Sequence, residues 1–180
     1  DAREWVRSSA RALPRVLADA GQQVVRIDRG LARSIHQAYL RMRTEAGDDP
    51  ASNPSMVPWD QLPESLKASN RDQATHIRVK LLSIGYDIAP GERTEFEFDA
   101  AQVETLAVME HDRWVAQRIA DGWVPGEVRD LDAKTTPWLV PWDELTPEMQ
   151  EIDREFVRSI PALLAESGYG IVRDPDATNA

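Results

Sequence analysis

A histidine, an aromatic residue three positions on and an arginine four further on occur twice, as His36, Tyr39 and Arg43 and as His111, Trp114 and Arg118. Positions i, i+3 and i+7 share one face of a helix. Each copy therefore lines up an imidazole, a ring and a guanidinium. That face suits a flat anionic ligand, with the ring stacking and the guanidinium giving charge-assisted hydrogen bonds to phosphate. The plainer reading puts the aromatic in the core and bonds the histidine and arginine to loop carbonyls.

Other residues could join such a face. Asn53 and Ser55 flank Pro54, and Thr136 and Trp138 flank Pro137, so a pocket at these loop tips would be polar in one copy and aromatic in the other. Trp59-Asp60 and Trp142-Asp143 recur with little change, which favours packing with a capping aspartate over ligand contact. Arg71 and Arg154 are expected to hold these loops by ion pairing, and Trp123 reads as core.

Catalytic patterns are poor. The histidines are His36, His76 and His111, and the chain has no HExxH, Gly-rich phosphate loop, nucleophile elbow or cysteine. Glu110, His111 and Asp112 are adjacent on a helix and point in different directions, so they cannot converge on one metal. The run Asp48-Asp49-Pro50 lacks the alternating ligands of a calcium loop. A hydrolase built on His111 with Glu110 or Asp112 meets the same geometric objection. The expectation is a non-catalytic chain with no cofactor and no metal.

A net charge of -10 disfavours wrapping phosphate-rich nucleic acid while leaving room for a local basic pocket. The absence of cysteine removes disulfides and thiol chemistry and fits a cytoplasmic location, free or tethered through a membrane-associated parent. Apolar stretches such as Ala162 to Ala165 are too short to span a bilayer, so direct membrane insertion is not expected. The chain opens at Asp1 within a helical pattern, which suggests a piece of a larger protein.

The elements that must position these residues are helical. Residues 1–29 read as a helix and a short strand, either an arm packed on the module or the end of an upstream domain. Asp28 can cap a helix carrying Leu31, Ile35, Ala38, Tyr39 and Met42, which stops near Gly47. A loop with Pro50, Pro54, Pro58 and Pro63 follows, then a long helix from Leu66 to Ile84, stopped by Gly85. Residues 91–99 read as a strand-like linker on the alternation of Thr94, Phe96 and Phe98. Asp99 and Gln102 have capping-box spacing for the next helix, which ends near Ala120 before Gly122. Thr146-Pro147 opens a final helix to about Ser167, with a kink or break expected at Pro161. Residues 175–180 read as a tail.

The repeat organises all of this. Residues 54–62 match residues 137–145 at a constant offset, and the same offset pairs Asn70-Arg71 with Asp153-Arg154, Leu81 with Leu164 and Gly85-Tyr86 with Gly168-Tyr169. The expected fold is mainly α, or α+β with a few short strands. Two pseudo-twofold-related helix-loop-helix repeats, residues 30–90 and 100–174, would form one compact module with a groove along the pseudo-axis.

The run Glu110-His111-Asp112-Arg113-Trp114 through Gly122-Trp123, then Gly126, Val128-Arg129-Asp130, Pro137, Leu139-Val140-Pro141 and the helix from Glu148 to Leu164, resembles a ryanodine receptor repeat, or RyR domain, of the prokaryotic type. The resemblance is strong over residues 100–172 and weaker over 31–88, where Tyr39 replaces the usual tryptophan and the Gly-Trp segment is missing. It implies a tandem, non-enzymatic module with a nucleotide-binding cleft between halves, regulating an attached channel or nucleotide-binding domain of a larger chain. By position, the cleft would take His36, Tyr39, Arg43, Asn53, Ser55 and Asn70 from the first repeat. The second would give His111, Trp114, Arg118, Thr136, Trp138 and Asp153. Asp153 would be unfavourable beside phosphate unless it reads a sugar hydroxyl or ring amine. The implied ligand is an adenine nucleotide or related small anion, stacked on Trp114 or Trp138 with Arg43 and Arg118 on its phosphates. The alternative is a protein-interaction or scaffolding module whose groove packs on a neighbouring domain of the parent chain.

Overall fold

The computed structural model describes residues 29–51, 53, 55–91 and 95–175. The expected N-terminal helix and strand, the Asp28 cap, Thr94 and most of the tail lie outside these residues. The described chain is mainly α with a few short strands. Among the described residues no helix is long and apolar enough to cross a membrane.

Helix α1 (Arg29–Glu45) is followed by the proline loop, a single 3-10 turn (Trp59–Gln61), helix α2 (Glu64–Ser83) and strand β1 (Tyr86–Pro90). Helix α3 (Ala100–Ala120), the two-residue strands β2 (Val124–Pro125) and β3 (Thr135–Thr136), a second 3-10 turn (Trp142–Glu144), helix α4 (Pro147–Glu166) and strand β4 (Tyr169–Arg173) complete the order. Contacts divide the chain into two units, whose described parts are residues 103–155 and residues 29–102 with 156–175.

Local chemistry sets the helix ends. The Asp99 side chain accepts from the Gln102 amide (2.8 Å) while Gln102 accepts from the Asp99 amide (3.0 Å), the reciprocal capping box expected before α3. Thr146 Oγ1 accepts from the Met149 amide (3.4 Å) at the start of α4. Gly85 and Gly168 end α2 and α4 at φ 80 and 81, a left-handed conformation that costs any other L residue.

Those stops aim β1 and β4 at each other. The strands pair antiparallel with Ile88 opposite Ile171 at the centre, Tyr86 opposite Arg173 and Pro90 opposite Tyr169. Ile88 and Ile171 occupy the same position in the two repeats, so the ladder is unchanged when the repeats are exchanged. The flanking bonds obey the same exchange, from the Gly91 amide to Gly168 O (2.8 Å) and from the Asp174 amide to Gly85 O (3.0 Å). Beneath the ribbon, Leu31, Ile35, Ile77, Leu81, Ile160, Leu163 and Leu164 form one buried cluster with the two strand isoleucines.

Each proline loop is tied to the helix before it by a buried histidine. His36 Nε2 donates to Val57 O (2.8 Å) and His111 Nε2 to Val140 O (2.7 Å). A carbonyl can only accept, so both rings carry their proton on Nε2 when neutral. Each ring then stacks with the aromatic residue three positions on, His36 with Tyr39 at 6.2 Å and 22° and His111 with Trp114 at 6.1 Å and 18°. The loop tryptophan tilts against each from the other side, Trp59 at 5.9 Å and Trp142 at 5.9 Å.

Three expectations are corrected. Residues 95–99 form no strand; Phe96 packs edge-on to Tyr86 (4.9 Å) and to Phe98 (5.0 Å), so the alternation reflects rings laid on the core. Helix α4 continues through Pro161, with Ile160, Leu163 and Leu164 buried around it, and their packing offsets the missing N–H bond. Asp60 and Asp143 do not cap. Pro58 and Pro141 hold the cap positions without side-chain bonds, and the Asp60 carboxylate goes to Arg33 instead.

Two outcomes follow. At Gly168 a Cβ would meet nothing within 4 Å, so Gly168→Ala should lose only the left-handed strain, about 1–2 kcal/mol in urea unfolding, with an unchanged slope. Burial pushes His111 below its ordinary value of 6.5, against the pull of the Val140 bond and the charges of Asp112 and Glu110. The unfolded chain then takes up the proton first, so this contribution to stability is complete above pH 6.5 and is lost as pH falls through the lowered folded value. Between pH 7.5 and 5 the wild type should therefore lose more stability than His111→Gln in thermal melts, and equal losses would show that His111 is not desolvated.

Candidate functional site

In the first repeat Tyr39, Asn53 and Ser55 are bonded to one another at the loop tip, while His36, Arg43 and Asn70 have other partners. Buried His36 is committed to Val57 O. The Tyr39 hydroxyl accepts from Asn53 Nδ2 (3.0 Å), and Asn53 Oδ1 accepts from the Ser55 amide (3.2 Å). Arg43 is fastened to Asp48 by two hydrogen bonds, Nε to Oδ2 at 2.7 Å and a terminal nitrogen to Oδ1 at 2.8 Å. Asn70 donates to Leu66 O (2.8 Å), one turn back along its own helix.

The second repeat uses the same positions differently. Trp114, Arg118 and Trp123 come together, the Arg118 guanidinium lying 5.5 Å from the Trp114 ring and 5.0 Å from the Trp123 ring. Among the described residues Arg118 makes no salt bridge, in contrast to Arg43. Burial, then the like charges of Arg129 and Arg113, press its pKa down from the usual arginine value, with Asp121 opposing. An arginine remains charged under such pressure, so this is a cation short of solvent and counter-charge.

Arg129 extends the cluster, its guanidinium 5.9 Å from the Trp138 ring. The β2–β3 segment places both. Val124 pairs with Thr135 and Pro125 with Thr136, while the Asp130 and Thr135 amides bond each other's carbonyls at 3.0 Å. Gly126 makes the close approach possible, because a Cβ there would sit 2.7 Å from Thr135 Cβ. Thr136 is buried and its Oγ1 faces the Trp138 amide at 3.4 Å, so it shapes the turn.

His111 and Asp153 also meet. Asp153 Oδ2 lies 3.9 Å from His111 Nδ1, the nitrogen left bare when Nε2 donates to Val140. Beside them Glu110 and Arg113 form a buried ion pair (2.7 Å), with Gln117 accepting from Arg113 (3.0 Å). Burial raises the Asp112 carboxyl above the ordinary aspartate value. Arg154 and the Trp142 indole both donate to Glu104, at 2.7 Å and 3.1 Å, and in the first repeat Arg71 pairs with Glu64, so both arginines are ion-paired, but to carboxylates of helices and not of the proline loops they were expected to hold.

Sequence reasoning passed over Arg129 and assigned Trp123 to the core. Trp123 is half-buried with Arg118 against it. The available signal was Gly122 before a tryptophan and an arginine in the loop that the first repeat lacks; what hid the pair was that their partners lie on α3 and beyond β3.

A family model described as RyR domain matches residues 97–173. The match begins just before the capping box of α3 and ends with β4, so it takes in the histidine clamp, the tryptophan and arginine cluster and the strand that closes the ribbon. Residues 97–173 of this chain are an RyR domain.

Proposed function

We propose that this protein is a non-catalytic ligand-sensing module that binds an adenine nucleotide or a related small anion through the ring and guanidinium face of its RyR domain. The observation that carries this reading is Arg118, a cation within reach of two tryptophan rings and without a salt bridge among the described residues. A phosphate would supply the missing counter-charge, and a purine could stack on Trp114 or Trp138. Arg129 is a second cation for the same ligand.

On this reading residues 30–90 are a diverged partner repeat. The shared clamp, stops and ribbon register support that view. Within the first repeat Tyr39, Asn53 and Ser55 are bonded to one another and Arg43 is held by Asp48, so the face proposed for the ligand is the one carried by Trp114 and Arg118. The output would be regulation of an attached domain in a larger chain.

One observation favours an interaction module instead. Val124, Val128 and Leu131 are 51%, 68% and 48% exposed around the same loop, an apolar edge that a neighbouring protein surface could cover. Calorimetric titration with ATP, ADP and ADP-ribose separates the two readings. Binding should be weakened by roughly tenfold or more in Arg118→Ala and Trp114→Ala, with the melting temperature of Arg118→Ala close to wild type. If none of these nucleotides gives heat, quenches tryptophan emission or raises the melting temperature, the sensor reading is lost and the apolar edge becomes the better lead.

A further inference from the structure

The two repeats also differ in the charged residues beside the loop tryptophan. In the first repeat a pocket of about 740 Å³ is lined by Gly30, Arg33, Trp59, Glu64, Lys67 and Arg71. Three of the six are cations and one is a carboxylate. On a chain whose net charge is -10, such a concentration of positive charge around a concavity focuses the local field on anions.

The second repeat shows what the same place looks like without that charge. Arg33 corresponds to Val108 and Lys67 to Gln150, so two cations are absent there. The surviving arginine, Arg154, and the Trp142 indole are both taken by Glu104, whose position in the first repeat is occupied by Arg29. One copy is closed on an internal carboxylate, and the other is open and basic.

The pairs present in the first repeat do not close its pocket. Arg33 holds Asp60 with side chains 48% and 83% exposed, and Arg71 holds Glu64 at 47% and 73%. Ion pairs so exposed to water contribute little, and a multivalent anion can replace both carboxylates at small cost. Among the described residues Lys67 makes one long hydrogen bond, 3.5 Å to Asp60 O, beside its attraction to the exposed Glu64 carboxylate, and can swing its ammonium toward a ligand. Trp59 gives the pocket a half-buried aromatic wall.

We propose that this pocket is a binding site for a small polyphosphate anion, held by Arg33, Lys67 and Arg71 against Trp59, and built from residues other than those of the tryptophan and arginine cluster. Several linked phosphates are required, because three cations spread around an open pocket exceed what one phosphate can touch.

The test is calorimetric titration of the whole chain with sodium tripolyphosphate at low and at high salt. Wild type should bind at low salt and more weakly at high salt, as screening of exposed charge demands. Lys67→Gln and Arg33→Val, which install the second repeat's residues, should each weaken binding by about tenfold. Arg41→Gln removes an exposed cation from the same helix and should leave affinity unchanged. Melting each variant separates loss of fold from loss of site, and Lys67→Gln, which removes a long contact to Asp60 O and an exposed attraction to Glu64, keeps the test valid if Arg33→Val melts early. No heat from wild type overturns the site, as do equal affinities for wild type and Lys67→Gln, or an equal loss in Arg41→Gln.

Discussion

Both halves of the chain depend on one hydrogen bond, from a buried imidazole to the carbonyl that precedes a proline. Val57 and Val140 lie outside any strand ladder, and Pro58 and Pro141 after them have no N–H to give. A donor from the preceding helix is therefore needed. His36 and His111 provide it at nearly the same distance, and the ring pairs on either side keep each imidazole from turning. Histidine fits this position because it offers a directional donor on a flat body that can be sandwiched. The plainer reading of these histidines, bonded to loop carbonyls, is the one the geometry bears out.

Once the loop is fixed, the side chains around it are free to diverge. Ile35 and Ala38 of α1 correspond to Glu110 and Arg113 of α3, an apolar contact in one copy and a buried ion pair in the other. A buried pair costs desolvation and repays it only with good geometry, here several short bonds and Gln117 taking a further N–H. The divergence extends to the arginines. Arg43 has its aspartate five residues on, while Arg118 has rings in place of a carboxylate. The same helical position thus serves as a loop brace in one repeat and as a desolvated cation in the other.

Much of the frame was legible because it rests on local rules. A capping box, glycines at left-handed stops and a threonine before a proline act within a few residues of chain, and each appears where its spacing placed it. The misreadings also have local causes. Alternating phenylalanines imitate a strand when rings pack on a core from an extended segment, and a proline signals a helix break only where packing does not hold the helix together. Asp60 looked like a cap because the residue that takes the cap position, Pro58, has no side-chain acceptor to advertise it.

The RyR domain was legible through the resemblance of its motif residues to a known family. The repeat, the helical class and the helix face on which histidine, aromatic and arginine fall together were determined by the sequence itself. Periodicity and spacing settle these, because the geometry of a helix is the same in every protein. Only the tertiary structure decided which arginine is already spoken for. Asp48 closes on Arg43, Glu104 on Arg154 and Trp142, and none of the described carboxylates closes on Arg118. Charge pairing depends on distances between side chains from separate elements, and those distances exist only after the loops have been pulled onto their helices.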